Sequence, residues 1–296
     1  MAIAHEFEYF KPASLDEAIN LAAKYGEKGR ALAGGTDLVV KINDEIEFPE
    51  AVIDLKGIDE LKKLELKEGK LFIGPLVTFT ELINSPVVRE RFPLLLEASE
   101  TVASSGVRNR ATLVGNICSA VPSLDSGTPL LDYEAEVMVQ GEDGERSIPI
   151  REWFTGPKKN ALQPGEIVIG VTIPEITGKQ GGCYVKLGRY RGEDLAQVGV
   201  GILALENNEY RIAFCAVGPV AARAEKIETL LNGKELTDEL IEEAKNLVQK
   251  EISPIADIRA SGEYRMHMAE VMLVRGVKEA AARLKGEGTK YGTSVI

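Results

Sequence analysis

The sequence predicts an α+β fold, on three observations. Strand-type and capped helical segments mix without strict alternation, the last third runs strands first and helices after, and no internal period stands out. Its 296 residues allow two or three domains at roughly 100–200 residues each. Composition turns suggest lobes at 1–57 and 58–175 and a carboxy-terminal domain at 180–296.

The first element is a helix over 15–25. Ser14 stands three residues before Glu17, a capping-box spacing, and Leu15, Ala18, Ile19 and Ala22 follow at helical intervals. Gly26 supplies a left-handed C-cap. Short apolar strands are expected at 30–33 and 51–55, with Gly34-Gly35-Thr36-Asp37 after the first. Leu64–Leu66 and Lys70–Ile73 flank Glu68-Gly69 as a hairpin. Thr78 and Glu81 form a second capping box, and a helix is predicted from Pro93 to Val102.

The stretch from Ser104 to Leu131 is rich in small residues and turn formers and reads as irregular. A hairpin at 137–149 turns at Glu142-Asp143-Gly144, a strand covers Ile167–Ile173, and Pro174 to Gly182 reads as a linker. Strands at 183–188, 198–206 and 210–218 then form a three-stranded meander turning at Asn207-Asn208. Helices follow at 221–232, 237–250 and 263–284. On the last helix Met268, Val271, Met272 and Arg275 share a face, read as core or subunit-facing rather than a cofactor box.

Composition excludes several classes of function. The net charge of −11 disfavours nucleic acid and anionic membranes as partners. No stretch reaches the ~18 consecutive apolar residues of a membrane span. The amino-terminal residues lack a basic region followed by an apolar run, so the expected location is cytoplasmic. Cys118, Cys183 and Cys215 are odd in number and far apart, with no metal-ligand spacing.

Two segments carry candidate chemistry. In Ala33-Gly34-Gly35-Thr36-Asp37, two glycines let backbone N–H groups approach an anion. Alone this is more often an ordinary tight turn, and Asp37 reads as an N-cap rather than a catalytic acid. In Thr112-Leu113-Val114-Gly115-Asn116 another glycine stands at a turn between polar side chains, and Asp125 follows nine residues after Asn116. An acidic residue near a phosphate loop can accept from a ribose diol, although taken alone it is more often a solvent-facing turn residue. Two donor-rich loops suggest a pyrophosphate held from both sides, but G-x-G-x-x-G and Walker A patterns are missing.

At these residues the chain resembles the FAD-binding subunits of the molybdenum hydroxylases, which include xanthine, carbon monoxide and nicotinate dehydrogenases. The resemblance runs through 7–18, 31–38, 108–117, 122–130 and 186–196, in order. It implies a two-lobed FAD-binding domain of the p-cresol methylhydroxylase/vanillyl-alcohol oxidase type, followed by a carboxy-terminal α+β domain. By position, Ala31, Leu32, Ala33, Gly34, Gly35, Thr36, Asp37 and Leu38, with Thr112, Leu113, Val114, Gly115 and Asn116, would contact the pyrophosphate, mainly through backbone N–H groups. Asp125 would take the ribose, and Ala103, Leu162, Ile169 and Lys186 would line the flavin or adenine. One departure stands out. The family usually carries two glycines in the second loop, where this chain has Val114-Gly115.

The resemblance further implies partners: a large molybdopterin subunit and a small subunit with 2Fe–2S clusters, which reduce this chain's FAD. NAD⁺ or another acceptor then takes the electrons. No acid–base pair is assigned, and His5 and His267, the only histidines, are read as bystanders. Two alternatives stay open: a stand-alone FAD-dependent dehydrogenase of a small molecule, and a flavin-free assembly subunit.

Overall fold

The computed structural model describes residues 5–190 and 193–296. Residues 1–4, on which the leader reading partly rests, lie outside the described residues.

The chain opens with β1 (Glu8–Phe10), α1 (Leu15–Tyr25), β2 (Gly29–Leu32), α2 (Leu38–Asn43) and β3 (Ala51–Asp54). The strands pair in parallel in the order β1-β3-β2. α1 matches its expected span, and Ser14 Oγ caps it by accepting from Glu17 N. The reciprocal bond runs from Ala13 N to the Glu17 carboxylate, so the box is displaced by one residue. Gly26 has the expected positive φ of 50° but a ψ of −126°, so it is not a left-handed cap. β1 is not anticipated by the sequence, and α2 only through the N-cap reading of Asp37. β1 shows no buried alternation, and α2 exposes Val39 and Val40 to solvent.

The middle of the chain begins with the hairpin β4 (Leu64–Lys67) and β5 (Lys70–Ile73), turning through positive φ at Glu68 and Gly69. Five short helices follow the full capping box at Thr78 and Glu81: α3 (Phe79–Asn84), α4 (Pro86–Arg91), α5 (Pro93–Glu100), α6 (Ser105–Arg108) and α7 (Leu113–Ser119). Then come α8 (Gly127–Asp132), β6 (Glu136–Gly141), β7 (Gly144–Pro149), α9 (Ile150–Trp153), β8 (Phe154–Gly156), β9 (Lys159–Asn160) and β10 (Ile167–Pro174). The large antiparallel sheet has the order β4-β5-β10-β6-β7. The stretch expected to be irregular therefore holds α6, α7 and α8. Two of its apparent turn formers are helix caps: Ser104 accepts from Val107 N, and Thr112 from Gly115 N.

The last part contains β11 (Gln180–Leu187), β12 (Val198–Leu205), β13 (Glu209–Cys215), β14 (Ala222–Arg223), α10 (Glu225–Leu231), α11 (Asp238–Leu247) and α12 (Gly262–Lys285). Two expectations need correction. The sheet has four strands, because β14 takes residues assigned to a helix. β11 also starts inside the supposed linker, whose Gly181-Gly182 serves close packing: a Cβ on Gly181 would lie 2.1 Å from the Ala280 carbonyl oxygen. On α12, Met272 is buried with Ala269, Leu273, Val277 and Ala280, and Met268 packs partly against the same core. Of the expected face, then, Met272 alone is fully core, Val271 is half-buried outside that cluster and Arg275 is exposed.

Glu97 on α5 ties these parts together. It is 4% exposed, and its carboxylate accepts from Tyr184 N at 2.7 Å, Arg283 at 3.0 Å and Gly292 N at 2.9 Å. Arg283 also donates to the Gly182 carbonyl, and its guanidinium lies 4.3 Å from the Tyr291 ring centroid. Removing one partner of a buried ion pair strands the other. Glu97→Ala is therefore expected to lower unfolding free energy by about 3–5 kcal/mol in urea denaturation, and Glu97→Gln, which keeps one acceptor, by less.

Asp132 ends α8 fully buried, with both carboxylate oxygens lacking a hydrogen-bond partner among the described residues. Burial pushes its carboxyl well above the usual carboxylate range, against the pull of Arg223 and Arg211. The unfolded chain then ionises first as pH rises. This group's contribution is complete below the ordinary aspartate value and declines as pH climbs towards Asp132's own. Asp132→Asn removes that decline, so its gain in Tm over wild type should be larger at pH 8 than at pH 4 in paired thermal melts.

Candidate functional site

A cavity of about 1090 Å³ lies where the parallel sheet, the helices after β5 and the end of β11 meet. Its first wall is the turn between β2 and α2. A Cβ on Gly34 would fall 2.1 Å from the carbonyl oxygen of Arg110, so only glycine lets this turn approach the chain entering α7. Gly35 adopts φ +78°, a conformation that costs other residues strain. Among the described residues, no protein acceptor takes the N–H groups of Gly34, Gly35, Thr36 and Asp37. Four such donors in succession are suited to an anion.

Asp37 occupies the N-cap position of α2, but its backbone is helical there and its side chain makes no cap bond. It instead accepts from Ser119 Oγ, joining the turn to the end of α7. The N-cap reading is corrected accordingly: with helical dihedrals the carboxylate is not directed at the first-turn N–H groups.

The second wall is the start of α7, a helix where a loop was expected. Three of its N–H groups are already engaged: Leu113 to the Val77 carbonyl, Gly115 to Thr112 Oγ1 at 3.0 Å, and Asn116 to the Thr112 carbonyl. Asn116 Oδ1 also accepts from Ser126 at 2.6 Å. The reading of 112–116 as a rich source of free backbone donors thus narrows, because the helix uses them. Val114 is 3% exposed and belongs to the main hydrophobic core, which accommodates its branched side chain.

Asp125 stands at the third wall, 7% exposed. One oxygen accepts from Tyr184 OH at 2.6 Å, the other from Lys186 Nζ at 2.8 Å. Burial raises its carboxyl above the ordinary value, while the Lys186 charge and both hydrogen bonds hold it down. Lys186 Nζ donates also to the Thr101 carbonyl at 2.8 Å. Ala103 lines this side with φ +40°, its carbonyl and that of Val102 both fixed by Arg108.

Leu162 lies on the cavity and donates its N–H to Asn160 Oδ1. Of the residues singled out from sequence, the cavity wall includes all but Leu113 and Ile169. Leu113 is wholly buried in the core. A bulge between Val168 and Gly170 breaks the alternation of β10, so Ile167 and Val168 line the cavity while Ile169 does not.

Sequence reasoning missed Lys41, Lys158, Lys159, Asn160 and Ser123, which also line it. Lys158 and Lys159 belong to a hairpin whose strands are only three and two residues long, too short to leave a period. Cys118 lines the cavity as well, its thiol pushed by burial to about 12 and so unreactive. Neither histidine lines the cavity; His5 packs edge-on against Phe48. Among the described residues no His, Cys, Asp and Glu cluster suits a metal, and no helix is long and apolar enough to cross a membrane.

Comparison with known proteins agrees with this geometry. Residues 5–176 match the family described as the FAD binding domain in molybdopterin dehydrogenase. Residues 183–280 match the CO dehydrogenase flavoprotein C-terminal domain. The chain is similar to the carbon monoxide dehydrogenase medium chain of Hydrogenophaga pseudoflava, at 32% identity over 95% of this chain and 99% of that one. It is also similar to the xanthine dehydrogenase FAD-binding subunit of Escherichia coli O157:H7, at 31% identity over 94% and 97%. Among solved structures it resembles carbon monoxide dehydrogenase from Hydrogenophaga pseudoflava, with TM-score 0.92, 32% identity and coverage of 96% and 99%. It also resembles quinoline 2-oxidoreductase from Pseudomonas putida 86, with TM-score 0.89, 26% identity and coverage of 98% and 100%. The chain belongs to the FAD-binding subunits of the molybdenum hydroxylase family of oxidoreductases.

Proposed function

We propose that this chain relays electrons through FAD held in the cavity. They would come from 2Fe–2S clusters in a small partner subunit, reduced in turn by a large molybdopterin-binding subunit, and leave to NAD⁺ or another acceptor. In this reading residues 1–57 and 58–175 are the two lobes that clasp the cofactor, residues 180–296 close the site, and the complex works in the cytoplasm.

The observation that carries the reading is the turn at Gly34–Asp37: four unpartnered N–H groups on a cavity large enough for a dinucleotide. These groups would bind the pyrophosphate, with Lys186 adding a positive charge and Asp125 keeping lone pairs for a ribose hydroxyl. Ala103, Val107 and Leu162 offer an apolar wall that excludes water from a planar ring. When bound, FAD supplies the redox chemistry, and the protein supplies its placement and electrostatics. The same division suits a chain in which no histidine lines the cavity and its cysteine thiol is unreactive.

The test is cofactor content and its reduction. Whole chain released from its partners is expected to hold FAD, identified after denaturation, and anaerobic NADH is expected to bleach its oxidised absorption. FAD that NADH leaves oxidised points to another acceptor, and a chain that takes up no FAD overturns the reading. Gly34→Ala drives a methyl group into the Arg110 carbonyl. It is expected to weaken FAD binding at least about tenfold, the factor that 1.4 kcal/mol represents, as read by flavin fluorescence titration.

A further inference from the structure

We propose that Tyr184 is a positioning residue of the cofactor site: together with Asp125 it fixes the Lys186 ammonium in the cavity wall. The inference rests on the reading of the cavity as an FAD site.

Tyr184 and Lys186 stand two residues apart on β11 and so share one face of the sheet. Both donate to Asp125, one to each oxygen. The carboxylate is thereby locked between a phenol and an ammonium. Lys186 spends a second hydrogen on the Thr101 carbonyl, which leaves one of its three for a ligand on the cavity it lines.

The place of the Tyr184 hydroxyl is built into the neighbouring strands. A Cβ on Gly199 of β12 would lie 2.8 Å from that hydroxyl, so β12 is bare where the phenol ends. Beyond the hydroxyl stands Cys215 Sγ of β13 at 3.7 Å, a weak partner. Burial keeps the phenol well above its ordinary pKa, so it stays a donor across the working pH range.

The groups facing Asp125 are Lys186 and Tyr184 from β11, with Cys215 of β13 behind the phenol. Burial favours the protonated acid; Lys186 and the two hydrogen bonds favour the anion. Losing the Tyr184 hydroxyl removes one support of the anion and raises its pKa further. The ion pair exists above that pKa and is lost as pH falls through it, so FAD affinity should have an acid limb.

The experiment is an FAD fluorescence titration of the whole chain across about pH 3.5 to 9, from just below the ordinary aspartate value upward. Tyr184→Phe should move the midpoint of the acid limb upward by on the order of one pH unit while the alkaline plateau holds. Cys215→Ala should leave the midpoint in place. An unmoved midpoint in folded Tyr184→Phe, or an equal loss of affinity at every pH, overturns the proposal. If Tyr184→Phe does not fold by near-ultraviolet circular dichroism, Asp125→Asn decides. It should bind at every pH as weakly as wild type does in acid, and a retained acid limb overturns the proposal. A wild-type chain that binds no FAD at any pH sinks the reading of the cavity, and this inference with it.

Discussion

A carbon atom on Gly34 would lie 2.1 Å from the carbonyl oxygen of Arg110, and the shape of the cavity follows from the absence of that carbon. The parallel sheet brings one turn and the helical region brings another, and they meet backbone to backbone. A side chain at the junction would force the two walls apart and pull the Gly34–Asp37 donors away from α7. The bond from Ser119 to Asp37 crosses the same junction and holds the turn at its other end. Two short contacts thus determine the distance across which a ligand is gripped.

The third wall comes from a sheet with its own core. β11 carries Tyr184 and Lys186 into the cavity region, while Cys183 and Val185 face the carboxy-terminal core. Strict alternation along one strand thereby serves both a packed interior and a ligand site. The carboxy-terminal sheet contributes charge to the cavity as well as support.

Much of this was legible in the sequence, and the failures have physical causes. α1, the β4–β5 hairpin and the capping box at Thr78 were clear because local chemistry determines them: a hydroxyl at an N-cap, an Asn- or Gly-type turn, a helical apolar period. The region 104–131 was opaque because Ser104 and Thr112 suit caps and turns equally, and three short helices leave too few turns for a period. Gly181-Gly182 looked like a linker because the helices that need their bareness, α12 for Gly181 and α5 for Gly182, lie far away in the chain on either side. The glycine turn of the site could be read locally. The lysine hairpin at 158–159 could not, since nothing local indicates that it faces a cavity, and the bulge that turns Ile169 away is a product of pairing rather than of residue type.

The carboxylate of Glu97 has a consequence for how the molecule comes to be made. Its donors lie 87, 186 and 195 residues further along the chain, so a nascent protein emerging in order cannot satisfy it fully until residue 292 has been made. Until then α5 must carry an unpaired acid towards the interior, and the helices around the cavity have little reason to settle. Closing contacts of such span is slow in conformational search. The part of the chain that holds the cavity is therefore written first, and its buried acid is satisfied only by residues written long after it.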